Sequence, residues 1–129
     1  MNEKVEGRKP ENGSLLNLKA RTTLFALEII RLVGGLPRSI ETSVLGKQLL
    51  RSGTSVGAQY REASRAKSDP DFISKLEGSL QELEETRYWL ELLVASKFLP
   101  KEIFDRCDDE ANQLIAIFTS IVKKTKAKI

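Results

Sequence analysis

Apolar residues return every three or four positions along four long stretches of this chain, and no segment alternates with period two over a useful length. Three-four spacing gathers apolar side chains on one side of an α-helix, whereas a half-buried strand needs strict alternation. The expected fold class is therefore all-α. Because the joints between stretches are short, the expected architecture is an up-down-up-down antiparallel four-helix bundle. A chain of 129 residues suffices for one such domain around a single core.

Met1 to Gly13, rich in charge and carrying Pro10 and Gly13, reads as a mobile arm ahead of a bundle over 14–125, with 126–129 as a basic tail. The first helix is expected from about Ser14 to Val33, with Leu24, Leu27 and Ile30 as its apolar face and Phe25 and Leu32 on the flank. Gly34-Gly35 should stop it, since glycine takes the left-handed terminal conformation at little cost. The second helix, about Ile40 to Ala66, carries Leu45, Leu49, Ser52, Val56, Tyr60 and Ala63 within about 80° of a helical wheel. Gly46, Gly53 and Gly57 each weaken it by roughly 1 kcal/mol relative to alanine, so their shared flank is expected to admit another helix at close range.

The third helix opens at Ser68-Asp69-Pro70-Asp71, where Ser68 or Asp69 can cap free N–H groups and Pro70 fits the first turn. Its stripe is Ile73, Leu76, Leu80, Leu83, Leu90 and Val94. The fourth starts at Leu99-Pro100, carries Ile103, Phe104, Cys107, Ala111, Leu114, Ile115, Phe118, Ile121 and Val122, and is expected to fray into the lysines behind it.

Several function classes are disfavoured by what the chain is made of. Histidine is absent, which removes Ser-His-Asp and Cys-His catalysis and histidine metal sites. The acidic run Glu77, Glu82, Glu84, Glu85, Glu91 cannot supply the Glu-x-x-His pairs of a di-iron bundle and reads as a solvated or salt-bridged face. Gly46-Lys47-Gln48 lacks the spacing and the Ser/Thr of a phosphate loop. Cys107, the single cysteine, excludes an intrachain disulfide and reads as a small core residue. We expect no enzyme, no metal and no cofactor. Apolar runs such as Leu24 to Val33 are broken by Glu28 and Arg31, so no bilayer span is expected, and the polar start carries no signal-peptide core. The expected location is the cytoplasm.

Charge is distributed more tellingly than its net of +3 suggests. Residues 1–67 hold 12 Lys and Arg against 6 Asp and Glu, residues 68–122 hold 5 against 12, and 123–129 add four lysines. With Lys47 set at 0° on the wheel, Arg51 falls near 40°, Arg61 near 320° and Arg65 near 0°. Such a row can neutralise successive phosphates in a salt-sensitive, largely sequence-independent way. It can equally be a solvated face, or one paired with carboxylates of the third helix. Lys123, Lys124, Lys126 and Lys128 would assist phosphate binding, or simply complement a helix C-terminus. Trp89 and Leu92 lie off the third helix's stripe, near 220° and 160° from Leu76. This second apolar patch suggests contact with another subunit, unless the chain's own end covers it.

The run Gln48-Leu49-Leu50-Arg51-Ser52-Gly53-Thr54-Ser55-Val56-Gly57-Ala58-Gln59-Tyr60-Arg61-Glu62-Ala63 resembles the signature of bacterial four-helix bundle proteins found as reading frames inside intervening sequences of 23S ribosomal RNA genes. Ser68, Asp71-Phe72, Lys75, Leu80, Glu82, Glu85-Thr86 and Trp89-Leu90-Glu91-Leu92-Leu93 extend the likeness, which covers roughly Thr22 to Val122. Gln59 stands where asparagine is common, and Ala63 where one branch has glycine. The resemblance implies an up-down bundle assembling into a homo-oligomeric ring, commonly a pentamer. A related branch, the accessory proteins of diversity-generating retroelements, implies a basic barrel that binds nucleic acid and a reverse transcriptase. It implies no catalytic residues. The reading is then a non-enzymatic homo-oligomer contacting RNA or DNA through Lys47, Arg51, Arg61 and Arg65, the alternative being a protein-interaction scaffold with no nucleic-acid role.

Overall fold

The computed structural model describes residues 17–129, which form α1 (Leu18–Gly34), α2 (Ile40–Ala63), α3 (Asp69–Ala95) and α4 (Lys101–Lys128). α1 packs on α2, α2 on α3 and α3 on α4, and α4 returns to α1, which closes an up-down-up-down bundle with α1 and α3 at opposite corners. The arm assigned to residues 1–13, and a helix start near Ser14, lie outside the described residues.

Local chemistry explains the boundaries. The Asn17 side chain accepts from the Ala20 N–H at 3.2 Å, so α1 begins at Leu18. Ser39 caps α2 by accepting from the Thr42 N–H at 3.0 Å, and Ser68, not Asp69, caps α3 by accepting from Asp71. Two terminations differ from expectation. Gly35 ends α1 with φ −96°, not left-handed; its N–H turns back to the carbonyls of Leu32 and Val33, and the chain then runs into Pro37. The left-handed position falls instead on Lys97, at φ 67°, where Phe98 N–H reaches the Leu93 carbonyl at 2.9 Å to seal the end of α3. A lysine there is a local cost that the docking of Phe98 and Leu99 beside the core offsets.

α2 buries Leu49, Ser52, Val56 and Ala63 as its wheel predicts, with Leu45 and Tyr60 half-covered. Its glycines do receive another helix, and that helix is α1. A Cβ on Gly53 would lie 2.9 Å from two carbons of Ile29, one on Gly57 would lie 3.0 Å from Thr22 Oγ1, and one on Gly46 would lie 3.3 Å from Val33. The opposite flank of α2 approaches α3 through small polar residues. Ser52 and Thr86 share a buried hydrogen bond at 2.8 Å, and Ser79 Oγ donates to the Val56 carbonyl at 2.9 Å. These hydroxyls let the two backbones close up without leaving a polar group unsatisfied.

The expected face of α1 is corrected. Leu24, Leu27 and Ile30 are 66%, 46% and 47% exposed, while Leu18, Thr22, Phe25, Ile29 and Leu32 are buried. The helix is apolar on both sides, so periodicity alone could not choose between them. The glycine notch of α2 chose. Ile29 fits against Gly53, and Thr22, whose Oγ1 donates to the Leu18 carbonyl at 2.8 Å, fits against Gly57. The far side was left facing out.

α4 does not fray after Val122. It stays helical to Lys128, with Thr125 buried and its hydroxyl donating to the Ile121 carbonyl at 2.8 Å. The tail drawn at 126–129 is therefore mostly the last turn of a packed helix. α1 and α4 meet more loosely than the other neighbours. Their seam is tied by Arg21 to Glu110 at 2.7 Å and by Arg106 to Glu28 at 2.7 Å, around an open depression of about 280 Å³ lined by Leu24, Phe25 and Asp109.

Cys107 is fully buried, and burial pushes its thiol up to about 11. The unfolded chain ionises this thiol near its ordinary pKa of about 8.5, whereas the folded chain holds the proton until about 11. Stability should therefore fall as pH rises through that window. A Cys107→Ala variant should lack this part of the decline, read as the change in denaturant midpoint between pH 8 and pH 10. At pH 8, iodoacetamide should modify native Cys107 no faster than the chain unfolds.

Candidate nucleic-acid interface

The four cations proposed along α2 do not form one continuous row. Arg51 leans towards α3, where its guanidinium donates to Glu82 at 3.2 Å and to Glu85. The Glu85 hydrogen bond, followed by the fields of Glu82 and Glu85, raises Arg51 above even the usual arginine range. Its charge is already matched by two carboxylates. Arg61 leans the other way, towards α1, and donates to Thr23 Oγ1 at 3.1 Å, a neutral partner that leaves its charge unmatched. Lys47 and Arg65 are exposed and make no ion pair among the described residues. At a rise of about 1.5 Å per residue, Lys47 stands about 21 Å along the helix from Arg61. Neutralising Arg51 thus divides the row into an isolated Lys47 and a pair near the C-terminal end of α2.

Bundle topology gives that pair new neighbours. In an up-down bundle, the C-terminal ends of α2 and α4 and the N-terminal ends of α1 and α3 share one end of the molecule. Cross-helix contacts fix the level: Thr22 against Gly57 and Thr23 against Arg61 between α1 and α2, Glu62 to Lys75 at 2.9 Å between α2 and α3, and Glu77 to Lys126 at 3.1 Å between α3 and α4. Arg61 and Arg65 therefore share this end with Lys123, Lys124 and Lys128, because α4 remains helical far enough to bring them there. Lys19 and Lys67, which the wheel of α2 could not reveal, join the same end from α1 and from the α2–α3 connection. Of the carboxylates here, Glu62 and Glu77 are held by Lys75 and Lys126, leaving Asp69 and Asp71 on the first turn of α3. Lys126 is the one member of the proposed lysine group engaged by a carboxylate among the described residues. Positive charge is thus in clear excess at this end, and it is exposed.

The acidic half of the sequence is largely spent on holding the bundle together. Besides Glu82 and Glu85 on Arg51, Asp108 takes Arg87 at 2.8 Å between α4 and α3. Among the described residues, no three acidic or cysteine side chains converge as a metal site would require.

The apolar patch of α3 is placed differently from its wheel. Trp89 packs against the core, half-buried, with its indole Nε1 enclosed and without a hydrogen-bond partner among the described residues. Leu92 is half-buried. Tyr88 is the more open member at 53% exposed, with its ring tilted against Trp89 at 5.2 Å between centroids. On a wheel the tryptophan stands out because it is larger, but size also gives it the stronger claim on the core.

Comparison with known proteins adds the family. A family model described as 23S rRNA-intervening sequence protein matches residues 16–120. A solved structure from Bacteroides thetaiotaomicron, described as a protein with unknown function from the S23 ribosomal protein family, is 39% identical and superposes with a TM-score of 0.78. That similarity covers 82% of this chain and 98% of the other. No curated protein is matched. Among the described residues, no helix is long and apolar enough to cross a membrane.

Proposed function

Because this chain belongs to the 23S rRNA-intervening sequence protein family, we propose that it is a non-enzymatic, homo-oligomeric protein that binds structured RNA through the cationic end of its bundle. The observation that supports this most is the placement of Arg61 on α2, and of Arg65 in the turn just past its end, at the same end of the bundle as Lys124 and Lys128 of α4, none of them matched by a carboxylate among the described residues. Guanidinium and ammonium groups carried on α2, on the turn that follows it and on α4 would meet phosphates separated along a folded strand. No aromatic side chain accompanies them at this end of α4, so the contact would read backbone shape and charge and would not stack on bases. Lys47, Arg51 and Lys126 take lesser parts in this reading: the first is remote, and the others are engaged by carboxylates. The absence of histidine supports the non-enzymatic part.

The test is a salt titration of binding to a fluorescent RNA hairpin, followed by anisotropy. For the parent, log K should fall linearly with log salt. In an Arg61→Glu/Arg65→Glu/Lys124→Glu variant the affinity should drop at least tenfold, and the slope should lose about 2–3 through the three lost phosphate contacts. Lys47→Glu separates the bundle end from the full α2 row, since it should change affinity less than twofold. A triple variant that binds as tightly as the parent would remove RNA from the account. The charged faces would then favour a protein-interaction scaffold.

A further inference from the structure

Two arginines of α2 are held in opposite ways. Arg51 meets two carboxylates, whereas Arg61 meets only a hydroxyl, Thr23 Oγ1, at 3.1 Å. That hydroxyl is itself oriented. Its proton goes to the Lys19 carbonyl at 2.8 Å, one turn back along α1, so its lone pairs are left for Arg61 Nη2. The guanidinium is thereby fixed in place, while its charge and most of its N–H donors stay available. Lys19 lies about 40° from Thr23 and about 60° from Thr22 on the α1 wheel, hence on the flank that touches α2. Because α1 and α2 run antiparallel, stepping from Thr23 back to Lys19 and from Arg61 on to Arg65 leads the same way, towards the cationic end of the bundle. Glu62, next in sequence to Arg61, is drawn to Lys75 on α3. Among the described residues, Lys19, Arg61 and Arg65 meet no carboxylate.

We propose that Lys19, Arg61 and Arg65 form a seat for a backbone phosphate of the RNA, and that Thr23 is a positioning residue that presents Arg61 to it. The seat belongs to the RNA-binding end proposed above and rests on that reading. A neutral acceptor suits this task. A carboxylate in the place of Thr23 would compete with the phosphate for the same charge, as Glu82 and Glu85 do on Arg51. An arginine with no partner at all would have to be ordered when the RNA arrives, at a cost in affinity. Thr23 avoids both: it holds the guanidinium and leaves the charge to the ligand. Lys19, on the neighbouring helix, brings a second cation to the same flank, so the seat spans two helices and could not be read from the wheel of α2.

The test uses the full chain and a fluorescent RNA hairpin without a terminal phosphate, so that only backbone phosphates are offered, with anisotropy read across a salt series. Arg61→Gln and Lys19→Gln should each take about one from the slope of log K against log salt, since each removes one phosphate contact. Thr23 is exposed, so its replacement leaves the core untouched. Thr23→Val should lower affinity about threefold to tenfold with the slope unchanged, because every charge remains and only the order of one side chain is lost. Thr23→Ser should bind within about twofold of the parent, since it keeps the accepting hydroxyl. In an Arg61→Gln background, Thr23→Val should have no further effect, whereas a role in packing alone would persist there. A parent chain that does not bind the hairpin overturns the RNA reading and the seat with it. Binding that Thr23→Val leaves intact, or a Thr23→Val loss undiminished in the Arg61→Gln background, overturns the positioning role while leaving RNA binding standing. A Lys19→Gln slope equal to the parent's overturns the seat between α1 and α2.

Discussion

Phe118→Ala should cost about 3–5 kcal/mol of folding free energy, the range for emptying a large aromatic site in a packed core. Phe118 on α4 is fully buried and stacks on Tyr60 of α2 with ring centroids 5.7 Å apart and planes 9° from parallel. This is a contact across the diagonal of the bundle, so the cavity would open where all four helices converge. Core residues one turn away, Val56 on α2 and Leu114 on α4, are themselves fully buried and have little freedom to collapse into it. Domains of this size are held by about 5–15 kcal/mol in total, so the variant should be marginal. Guanidinium unfolding followed by far-UV circular dichroism should show the midpoint falling with the slope unchanged. Ile40→Ala, at a position 83% exposed, should shift the midpoint within error by comparison. A Phe118→Ala midpoint equal to that control would mean that the diagonal stack contributes nothing.

The second large effect is expected from overfilling. Gly53→Val would place its Cβ 2.9 Å from both Cγ atoms of Ile29, and Ile29 is itself wholly buried. Forcing α1 away from α2 should cost about 1–3 kcal/mol or more. Against this, replacing a mid-helix glycine returns up to roughly 1 kcal/mol of helix propensity. Valine returns less than alanine would, because it is β-branched. The packing term should win. The decisive measurement is a double-mutant cycle with Ile29→Ala, which vacates the space that the introduced valine would claim. Ile29→Ala alone should be destabilising, and the double variant should be more stable than the sum of the two singles by about 0.5–3 kcal/mol. Strict additivity would show that α1 does not seat in the glycine notch.

What the residues disclosed unaided was the part of the problem governed by local rules. Three-four spacing settled four helices. Ser68-Asp69 before Pro70 marked the start of α3 to within a residue, and a flank of small residues on α2 foretold a close neighbour, because propensity, capping and steric bulk act over a few residues. Of the candidate interface, the cations themselves were legible but their company was not. The wheel of α2 put Arg51 in line with Arg61 and Arg65, yet Glu82 and Glu85 lie on another helix, and only packing brought them onto Arg51.

Tertiary structure also decided the matters on which a wheel is neutral. α1 has two apolar sides of similar strength, and the one bearing Ile29 and Thr22 went inward because Gly53 and Gly57 left room for it. Leu24, Leu27 and Ile30 were thereby turned from expected core into surface. The lysines after Val122 came to the same end of the bundle as Arg61 and Arg65 because the connections reverse direction three times. Periodicity along a chain can show that a side chain belongs to a face. Which face is buried, and which charges meet, depends on pairings between distant segments, and those exist only once the helices have packed.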